Sequence, residues 1–386
     1  MSVEQRDVVM RVLHVIPSVS ERSGGPAMAI VPMCRALQEL GIEVTLATTG
    51  YGLTQKGTDC IVDYKGLATR FFPVQLGDSF KYSRPLKDWL NKSVKAFDVV
   101  HIHAVFNHAS VAAARACRRS GVPYIVRPLG TLDPWSMKQK PLRKRLFWLL
   151  SAKTMLQRSA AVHYTAAAEK SATEEYLGLN HGSVIPLGVE VNGSPANQVP
   201  GQSYILVLSR LHSKKNLEVL IDAFKSLKQN KWRLIIAGDG QPDYVAVLKQ
   251  KAGDAENIIF TGWVEGEQKE ALLRGASLLA LPSRQENFGL CVLEAMAHGV
   301  PVLVSPNVNL AAEIEAAEAG WVIDVGQLAQ GLALILKEEE ERERRGRAAY
   351  QFSQRYSWQR TAAELAELYR QILSNRALRN GSATLH

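Results

Sequence analysis

The sequence predicts an α/β fold with two domains, each built on a parallel β-sheet, and three observations lead to this prediction. The chain has 386 residues, whereas a single hydrophobic core stops growing near ~250–300 residues. Short β-branched runs alternate with longer helical stretches, which is typical of β-α-β units. A stretch rich in Gly, Pro, Asn and Ser, residues 188–202, interrupts this alternation, which restarts after it.

Six short apolar runs in the first half of the chain are predicted as strands, and helices are predicted between them. Pro26 and Gly41 flank the first of these helices and are suitable start and stop signals. The predicted strands are residues 11–17, 43–48, 71–74, 99–103, 124–127 and 161–165, and two of the predicted helices are 27–40 and 109–120.

The second half repeats the alternation, so the domains are predicted at residues 1–190 and 191–355, with the linker between them. The mixed-charge run 337–347 predicts a helix with a solvated face. The predicted strands are residues 204–208, 233–237, 258–260, 278–281 and 301–305, and the predicted helices are 217–228, 243–253, 268–275 and 289–298.

Composition and charge exclude several classes of function. A net charge of +9 favours an anionic partner, but no helix-turn-helix, zinc-finger or RNP-type pattern is present, so nucleic acid is not expected. The four cysteines are widely spaced without a CxxC pair, which argues against a disulfide framework or a zinc site. The first residues lack the pattern of a secretion signal, and no apolar run approaches ~18 residues, so a cytoplasmic protein is expected.

A basic loop, residues 209–216 (SRLHSKKN), follows the predicted strand 204–208. The carboxyl ends of strands in open α/β sheets are where ligands bind. Arg210 offers a bidentate fork and Lys215 a point charge, a combination that suits a diphosphate. A plain solvated loop is the alternative interpretation of this segment taken alone.

Two carboxylates, Glu286 and Glu294, are separated by seven residues, the first in the loop after a predicted strand and the second in the following helix. Carboxylates accept hydrogen bonds from vicinal hydroxyls, which sugars and riboses both present. Residues 287–290 add backbone N–H groups at a helix start, where negative charge is stabilised. A buried Glu294 that is satisfied by another side chain is the alternative, because an unpaired buried carboxylate is costly.

The E-x7-E spacing, the preceding SRLxxxKN, the AGDG at 237–240 and the FTGW at 260–263 together resemble the GT-B glycosyltransferases of family 4, the group 1 glycosyltransferases. The resemblance covers nearly the whole chain and leans toward the bacterial exopolysaccharide and O-antigen type. It implies an α/β GT-B fold with two Rossmann-like domains facing each other across a cleft. The N-terminal domain would take the acceptor and the C-terminal domain the donor, and a helix at about 356–386 would pack back onto the first domain.

This resemblance also implies the chemistry. The chain would be a retaining hexosyltransferase that needs no metal and no cofactor, since Arg210 and Lys215 neutralise the donor diphosphate. Glu286 would touch the donor sugar and Glu294 the ribose. The expected catalytic residues are Arg210, Lys215, Glu286 and His103. The expected donor-binding residues are Gly24, Gly25, Arg210, Lys215, Gly238, Gly262, Trp263, Val264, Glu286, Asn287, Phe288, Gly289, Leu290 and Glu294.

The expected donor is UDP-glucose or another UDP-hexose, with GDP-mannose as the second choice, and the expected acceptor is a glycan or a polyprenyl-diphosphate-linked glycan. Preorganised cations at the leaving group should lower the barrier, so Lys215→Ala is expected to slow turnover with little change in stability. A non-catalytic partner that only binds the nucleotide-sugar is an alternative. An NAD-dependent oxidoreductase is not favoured, because no G-x-G-x-x-G follows a predicted strand.

Residues 131–150 combine five basic residues with Trp135, Phe147 and Trp148. A basic, aromatic surface segment can rest on anionic lipid headgroups, which would place the protein peripherally at the inner face of the plasma membrane. An ordinary helix with one packed face and one basic solvated face is the alternative.

Overall fold

The computed structural model describes residues 9–53, 60–77, 80–139, 141–190, 203–228 and 231–383. By its internal contacts the chain forms two compact units, unit 1 (Met1–Pro186 with Trp358–His386) and unit 2 (Leu187–Ser357). Most of the stretch predicted as a linker, residues 191–202, lies outside the described residues. Among the described residues, no helix is long and apolar enough to cross a bilayer.

Unit 1 contains a sheet of eight strands within the described ranges. They are β1 (Arg11–Ile16), β2 (Glu43–Thr49), β3 (Val62–Tyr64), β4 (Leu67–Phe72), β5 (Val99–His103), β6 (Tyr124–Arg127), β7 (Ala161–Tyr164) and β8 (Gly182–Val184). Their order is β3-β4-β2-β1-β5-β6-β7-β8. Every neighbouring pair is parallel except β3 and β4, which form an antiparallel hairpin. The five residues of β5 are fully buried, as expected for a central parallel strand.

Helices cover the sheet of unit 1, and local sequence signals define their ends. The third helix shows this: the Asn107 side chain accepts a hydrogen bond from the Ser110 amide (3.0 Å) at its start, and Gly121 takes a left-handed conformation (φ 68°) at its end. The helices are α1 (Gly25–Glu39), α2 (Arg84–Ser93), α3 (His108–Ser120), α4 (Pro134–Met137), α5 (Pro141–Phe147), α6 (Lys153–Gln157), α7 (Ala167–Leu177) and a C-terminal helix (Trp358–Ala383).

Unit 2 is a second open sheet, with six parallel strands in the described ranges. They are β9 (Tyr204–Leu208), β10 (Arg233–Ala237), β11 (Ile258–Gly262), β12 (Leu278–Leu281), β13 (Val302–Val304) and β14 (Gly320–Val322), in the order β11-β10-β9-β12-β13-β14. The helices are α8 (Leu217–Ser226), α9 (Pro242–Ala252), α10 (Gly266–Gly275), α11 (Leu290–Ala297), α12 (Ala311–Ala316), α13 (Leu328–Ile335) and α14 (Glu339–Ser353).

The predicted strand at residues 71–74 is wrong in its position. The strand β4 begins earlier, at Leu67, because Lys65 (φ 53°) and Gly66 (φ 79°) form a tight turn that pairs it with β3. It ends at Phe72, before Pro73, which has no N–H to donate to a sheet.

Candidate functional site

Four neighbouring strands of unit 2, in the order β11-β10-β9-β12, end at the same edge of the sheet, and the predicted site residues follow them. Hydrogen bonds join the loops: the Gly238 amide donates to the Gly262 carbonyl (2.7 Å), and the Arg284 amide to the Lys214 carbonyl (2.8 Å). Arg210 and Lys215 follow β9, Gly238 follows β10, Gly262 ends β11 before Trp263 and Val264, and residues 286–290 follow β12.

The ammonium of Lys215 forms an ion pair with the carboxylate of Glu286, which joins the two loops that the sequence singled out. The two side chains are 16% and 15% exposed. Burial would raise the pKa of Glu286, but the charge and hydrogen bond of Lys215 outweigh it and lower this pKa below its ordinary value. The carboxyl of Glu286 is therefore ionised at neutral pH.

Arg210 lies in the same loop as Lys215 and is exposed. Among the described residues it makes no ion pair, so its guanidinium is available to an anionic ligand at this edge of the sheet.

Glu294 has a protein partner. Its carboxylate lies 2.7 Å from the ammonium of Lys269 on α10, and both side chains are largely buried. This pair meets the requirement that a buried carboxylate be neutralised, so ribose binding by Glu294 stays a prediction. Burial raises the pKa of Cys291, which lies between Glu286 and Glu294 in the sequence, to about 12.

Gly238 and Gly289 hold the loop backbones in conformations that other residues rarely adopt. A Cβ at Gly238 (φ 146°) would lie 1.8 Å from the Ser209 carbonyl oxygen, so this glycine lets two loops approach closely. Gly289 (φ 74°) precedes the first residue of α11. Gly262 (φ 74°) has no neighbour within 4 Å of its Cβ position among the residues that the structure describes. The packing of the loops is therefore enough to explain a glycine at position 238. Gly262, in contrast, has open space beside it that a ligand could occupy.

Three further predicted donor-binding residues differ in what their side chains can do. Phe288 is 4% exposed and its ring packs near that of Tyr356, 6.1 Å between centroids, so its side chain belongs to the core. Only its backbone N–H, like that of Leu290 at the start of α11, is suited to a ligand. Trp263 is half-buried, and its indole N–H donates to Glu265 (3.2 Å).

In unit 1, Gly24 and Gly25 lie where the loop after β1 enters α1. Gly24 (φ 87°) is buried and caps α1, and the exposed Gly25 is its first residue, followed by Pro26. A Pro at the beginning of a helix is well tolerated because its missing N–H would have no partner in the helix. Gly24 and Pro26 therefore fix the backbone of this turn between β1 and α1.

His103 belongs to a cluster of fully buried imidazoles that also contains His14, His101 and His163. The prediction that His101 and His103 share a face of β5 is confirmed: their rings stack with centroids 4.5 Å apart. His103 Nε2 lies 3.0 Å from His14 Nδ1 on the neighbouring strand β1. Burial lowers the pKa of every ring in the cluster, that of His14 to about 3, so the rings are neutral.

The tautomers of two of these rings follow from their partners. The Ile185 carbonyl accepts from His163 Nε2 (2.8 Å), which leaves His163 Nδ1 to accept from His101 Nε2 (3.2 Å). His101 Nδ1 then accepts from the hydroxyl of Tyr369 on the C-terminal helix (2.8 Å). This chain of hydrogen bonds fixes the rings against the sheet.

One nitrogen each of His14, His101 and His103 lies within 4.8 Å of the others, a grouping that could hold a metal ion. Arg127, however, is 2% exposed and its charge further lowers the pKa of these rings. A buried guanidinium so close disfavours a second cation. Four nitrogens of the cluster and of Arg127 have no hydrogen-bond partner among the described residues. They are Nε and Nη1 of Arg127, Nε2 of His14 and Nδ1 of His103.

Sequence reasoning missed Lys269, His14 and Arg127 as parts of the two sites. His14 and Arg127 could have been found from strand order, because β1 and β6 flank β5 and place His14 opposite His101 and Arg127 opposite His103. No local signal marks Lys269, which meets its partner from a different helix.

Both units match known domain families. Residues 24–188 match the family model of the glycosyl transferase 4-like domain, and residues 194–352 match that of the glycosyl transferases group 1. The D-inositol 3-phosphate glycosyltransferase of Corynebacterium glutamicum is 30% identical over 183 residues, which are 44% of this chain and 44% of that protein. The chain spans about half the length of the curated relatives that it matches at 30–33% identity.

Solved structures match over nearly the whole chain. Sucrose-phosphate synthase from Thermosynechococcus elongatus has a TM-score of 0.78 at 18% identity, covering 95% of this chain and 100% of that one. The Anabaena protein HepE, solved with UDP and glucose, has a TM-score of 0.73 at 20% identity, covering 93% and 98%. At these identities the likeness establishes the fold, which is GT-B. With both of its α/β units matched by glycosyltransferase domain models, the chain belongs to the glycosyltransferases of the GT-B fold.

Proposed function

We propose that the chain transfers a hexose from a nucleotide-sugar to a glycan acceptor, with retention of anomeric configuration and without a metal or another cofactor. The observation that carries the proposal is the largely buried ion pair of Lys215 and Glu286, together with the exposed Arg210 in the same loop as Lys215. Two cations at the carboxyl edge of a parallel sheet suit a diphosphate.

Binding of a donor would change the partners of this pair. In the proposed complex the diphosphate attracts the Lys215 ammonium, and Glu286 turns to the hydroxyls of the sugar. Arg210 and Lys215 then stabilise the negative charge that develops on the leaving diphosphate as the sugar becomes oxocarbenium-like, which is the main catalytic effect. Residues 287–290 add backbone N–H groups at the start of α11.

The remaining assignments are carried over from the family resemblance. Glu294 is proposed to hold the ribose, and Gly262, Trp263 and Val264 to surround the base. Gly24, Gly25 and His103 of unit 1 are proposed to approach the donor phosphate and sugar. His103 is fully buried in the structure, so this contact requires that its edge become accessible.

UDP-glucose or another UDP-hexose is the proposed donor, supported by the likeness to an Anabaena protein solved with UDP and glucose. GDP-mannose is the alternative. The proposed acceptor is a glycan or a polyprenyl-diphosphate-linked glycan in the synthesis of a cell-surface polysaccharide. The name of one relative, a D-inositol 3-phosphate glycosyltransferase, adds a phosphorylated cyclitol to the acceptors worth testing.

A donor-hydrolysis assay tests the proposal. Release of UDP or GDP is measured for UDP-glucose, other UDP-hexoses and GDP-mannose, with EDTA present, and NMR then determines the anomeric configuration of the transfer product. We expect release from a UDP-hexose that EDTA does not reduce, and a product with the donor's configuration. Tight binding of a donor without release, under every acceptor condition, would instead assign the non-catalytic binding role.

A further inference from the structure

Four leucines of unit 1 are turned to solvent on one short helical segment, residues 141–157. Leu142, Leu146, Leu149 and Leu150 are 83%, 60%, 62% and 69% exposed, and together they form what we call the leucine face. Their spacing of four, three and one residues places them along one side of a helix. Of the 13 large apolar side chains exposed in the described ranges, these four fall within nine residues, so the leucine face is a cluster, not a scatter.

The opposite side of the same segment is already packed against the core of unit 1. The ring of Phe147 contacts those of Phe106 (5.5 Å between centroids) and Phe80 (6.0 Å). Trp148 packs on the same core. A π-helical turn, Trp148–Ala152, joins α5 to α6 and turns Trp148 inward while Leu149 and Leu150 stay outward.

This arrangement corrects the sequence-based interpretation of the segment. Phe147 and Trp148, expected at the surface, face the core, and so does Lys144, whose ammonium lies 5.2 Å from the centroid of the Phe106 ring. Burial lowers the pKa of Lys144. The side chains left for a partner are leucines, which the sequence-based interpretation did not single out.

The surroundings of the leucine face are basic. Residues 134–168 contain seven Lys and Arg and no Asp or Glu. Arg143 and Arg145 are exposed between Leu142 and Leu146, and Lys153 is exposed just after Leu150, whereas Lys140 lies outside the described residues. The guanidinium of Arg115 on α3 lies 3.4 Å from the Ser151 hydroxyl and adds a further positive charge.

We propose that the leucine face seats residues 141–157 in the headgroup region of an anionic lipid bilayer, with the helix axis parallel to the surface. Apolar side chains fringed by cations match the layering of a bilayer surface, where acyl chains lie beneath anionic headgroups. A second copy of the chain fits poorly, because a symmetric contact would bring two basic rims together.

The inference deepens the acceptor side of the proposed function, since a lipid-linked acceptor lies at such a surface. It is tested by binding alone, so transferase activity could be absent without affecting it. The chain is mixed with vesicles of phosphatidylcholine, with or without phosphatidylglycerol, and its flotation is measured. We expect flotation with the anionic vesicles only.

The double variant Leu146→Asp/Leu149→Asp should lower the partition coefficient about 100-fold, because each leucine contributes roughly a factor of ten when it enters the interface. The matched control is Val247→Asp/Leu334→Asp, which adds the same charge at exposed apolar positions (48% and 55%) of unit 2 and should float as the wild type does. Unchanged far-UV circular dichroism would show that both variants are folded.

A second pair of variants tests the basic rim. Arg143→Glu/Arg145→Glu should lose binding to anionic vesicles, whereas Lys249→Glu/Lys337→Glu, with the same change in net charge at exposed positions of unit 2, should retain most of it. Three results would overturn the proposal. In the first, the wild type never floats with anionic vesicles. In the second, the Leu146→Asp/Leu149→Asp variant floats as well as the wild type. In the third, the wild type self-associates, this variant does not, and neither protein floats.

Discussion

Replacing Lys215 by Met should destabilise unit 2, which revises the sequence-based expectation that this position can be changed with little effect on stability. The substitution leaves the carboxylate of Glu286 largely buried without its main partner. Breaking such a pair costs about 3–5 kcal/mol when it is fully buried. Because the two side chains are 16% and 15% exposed and the charge of Lys214 remains nearby, we expect the free energy of unfolding to fall by about 2 kcal/mol.

The loss should depend on pH, and its sign follows from the pKa of Glu286. In the wild type this pKa lies below its ordinary value of 4.5, so the pair stabilises above the unfolded-state pKa and this contribution is lost as the pH falls through the folded pKa. Without Lys215, burial raises the pKa, and the carboxyl takes up a proton more readily. The difference between wild type and variant should therefore be largest at neutral pH and should narrow as the pH falls through the raised pKa of the variant's carboxyl, so it should be smaller at pH 4 than at pH 7.

The difference in the free energy of unfolding between wild type and variant is measured by urea titration at pH 7 and pH 4. Hydrogen exchange at the amides of β9 and β12 monitors the unfolding of unit 2. The matched control is Lys251→Met, which breaks a more exposed ion pair with Asp222 (2.8 Å, side chains 32% and 59% exposed) and should cost under about 1 kcal/mol. The double variant Lys215→Met/Glu286→Leu should recover most of the loss. A loss equal to that of the control, or the same at both pH values, would refute the reasoning.

Two further substitutions test the packing that positions the sites. Gly238→Ala should destabilise unit 2 by about 3 kcal/mol or more, since its Cβ would lie 1.8 Å from a carbonyl oxygen. Gly326→Ala, whose Cβ meets none of the described residues within 4 Å, should be nearly neutral in the same urea titration, and equal effects would contradict the close approach of Gly238 to Ser209. Tyr369→Phe should cost about 1–3 kcal/mol in unit 1 because the buried Nδ1 of His101 loses its donor; no loss in urea unfolding would mean that this hydrogen bond is not formed.

The strands and helices with strong patterns could be predicted from the sequence, and most of the three-residue strands could not. Strands such as β5 and β9 are β-branched and buried, so their composition marks them. Of the four three-residue strands in the described ranges, β13 lies within the predicted run 301–305, whereas β3, β8 and β14 were not predicted. These three carry too few side chains for a pattern and form by pairing with a neighbour. Pairing is a property of the sheet, which no local stretch of sequence reveals.

The candidate site divides in the same way. The loops that hold Lys215 and Glu286 were predicted from their place after buried strands, and the structure brings these two residues into contact. The partner of Glu294 could not be predicted, because Lys269 reaches it from another helix. The leucine face could not be predicted from the sequence either, because the packing of Phe147 against the core decides which side of its helix faces solvent.

The measurement that tests the central claim most directly is the rate of UDP release from the preferred UDP-hexose by the Arg210→Ala variant. Arg210 is exposed and, among the described residues, makes no ion pair, so its loss should leave the melting temperature unchanged. The matched control is Arg233→Ala, an exposed residue at the start of β10, at the opposite edge of the same sheet. If Arg210 neutralises the leaving diphosphate, kcat/KM should fall about 100-fold, while the control keeps the wild-type rate. An Arg210→Ala variant that releases UDP as fast as the control would contradict the account.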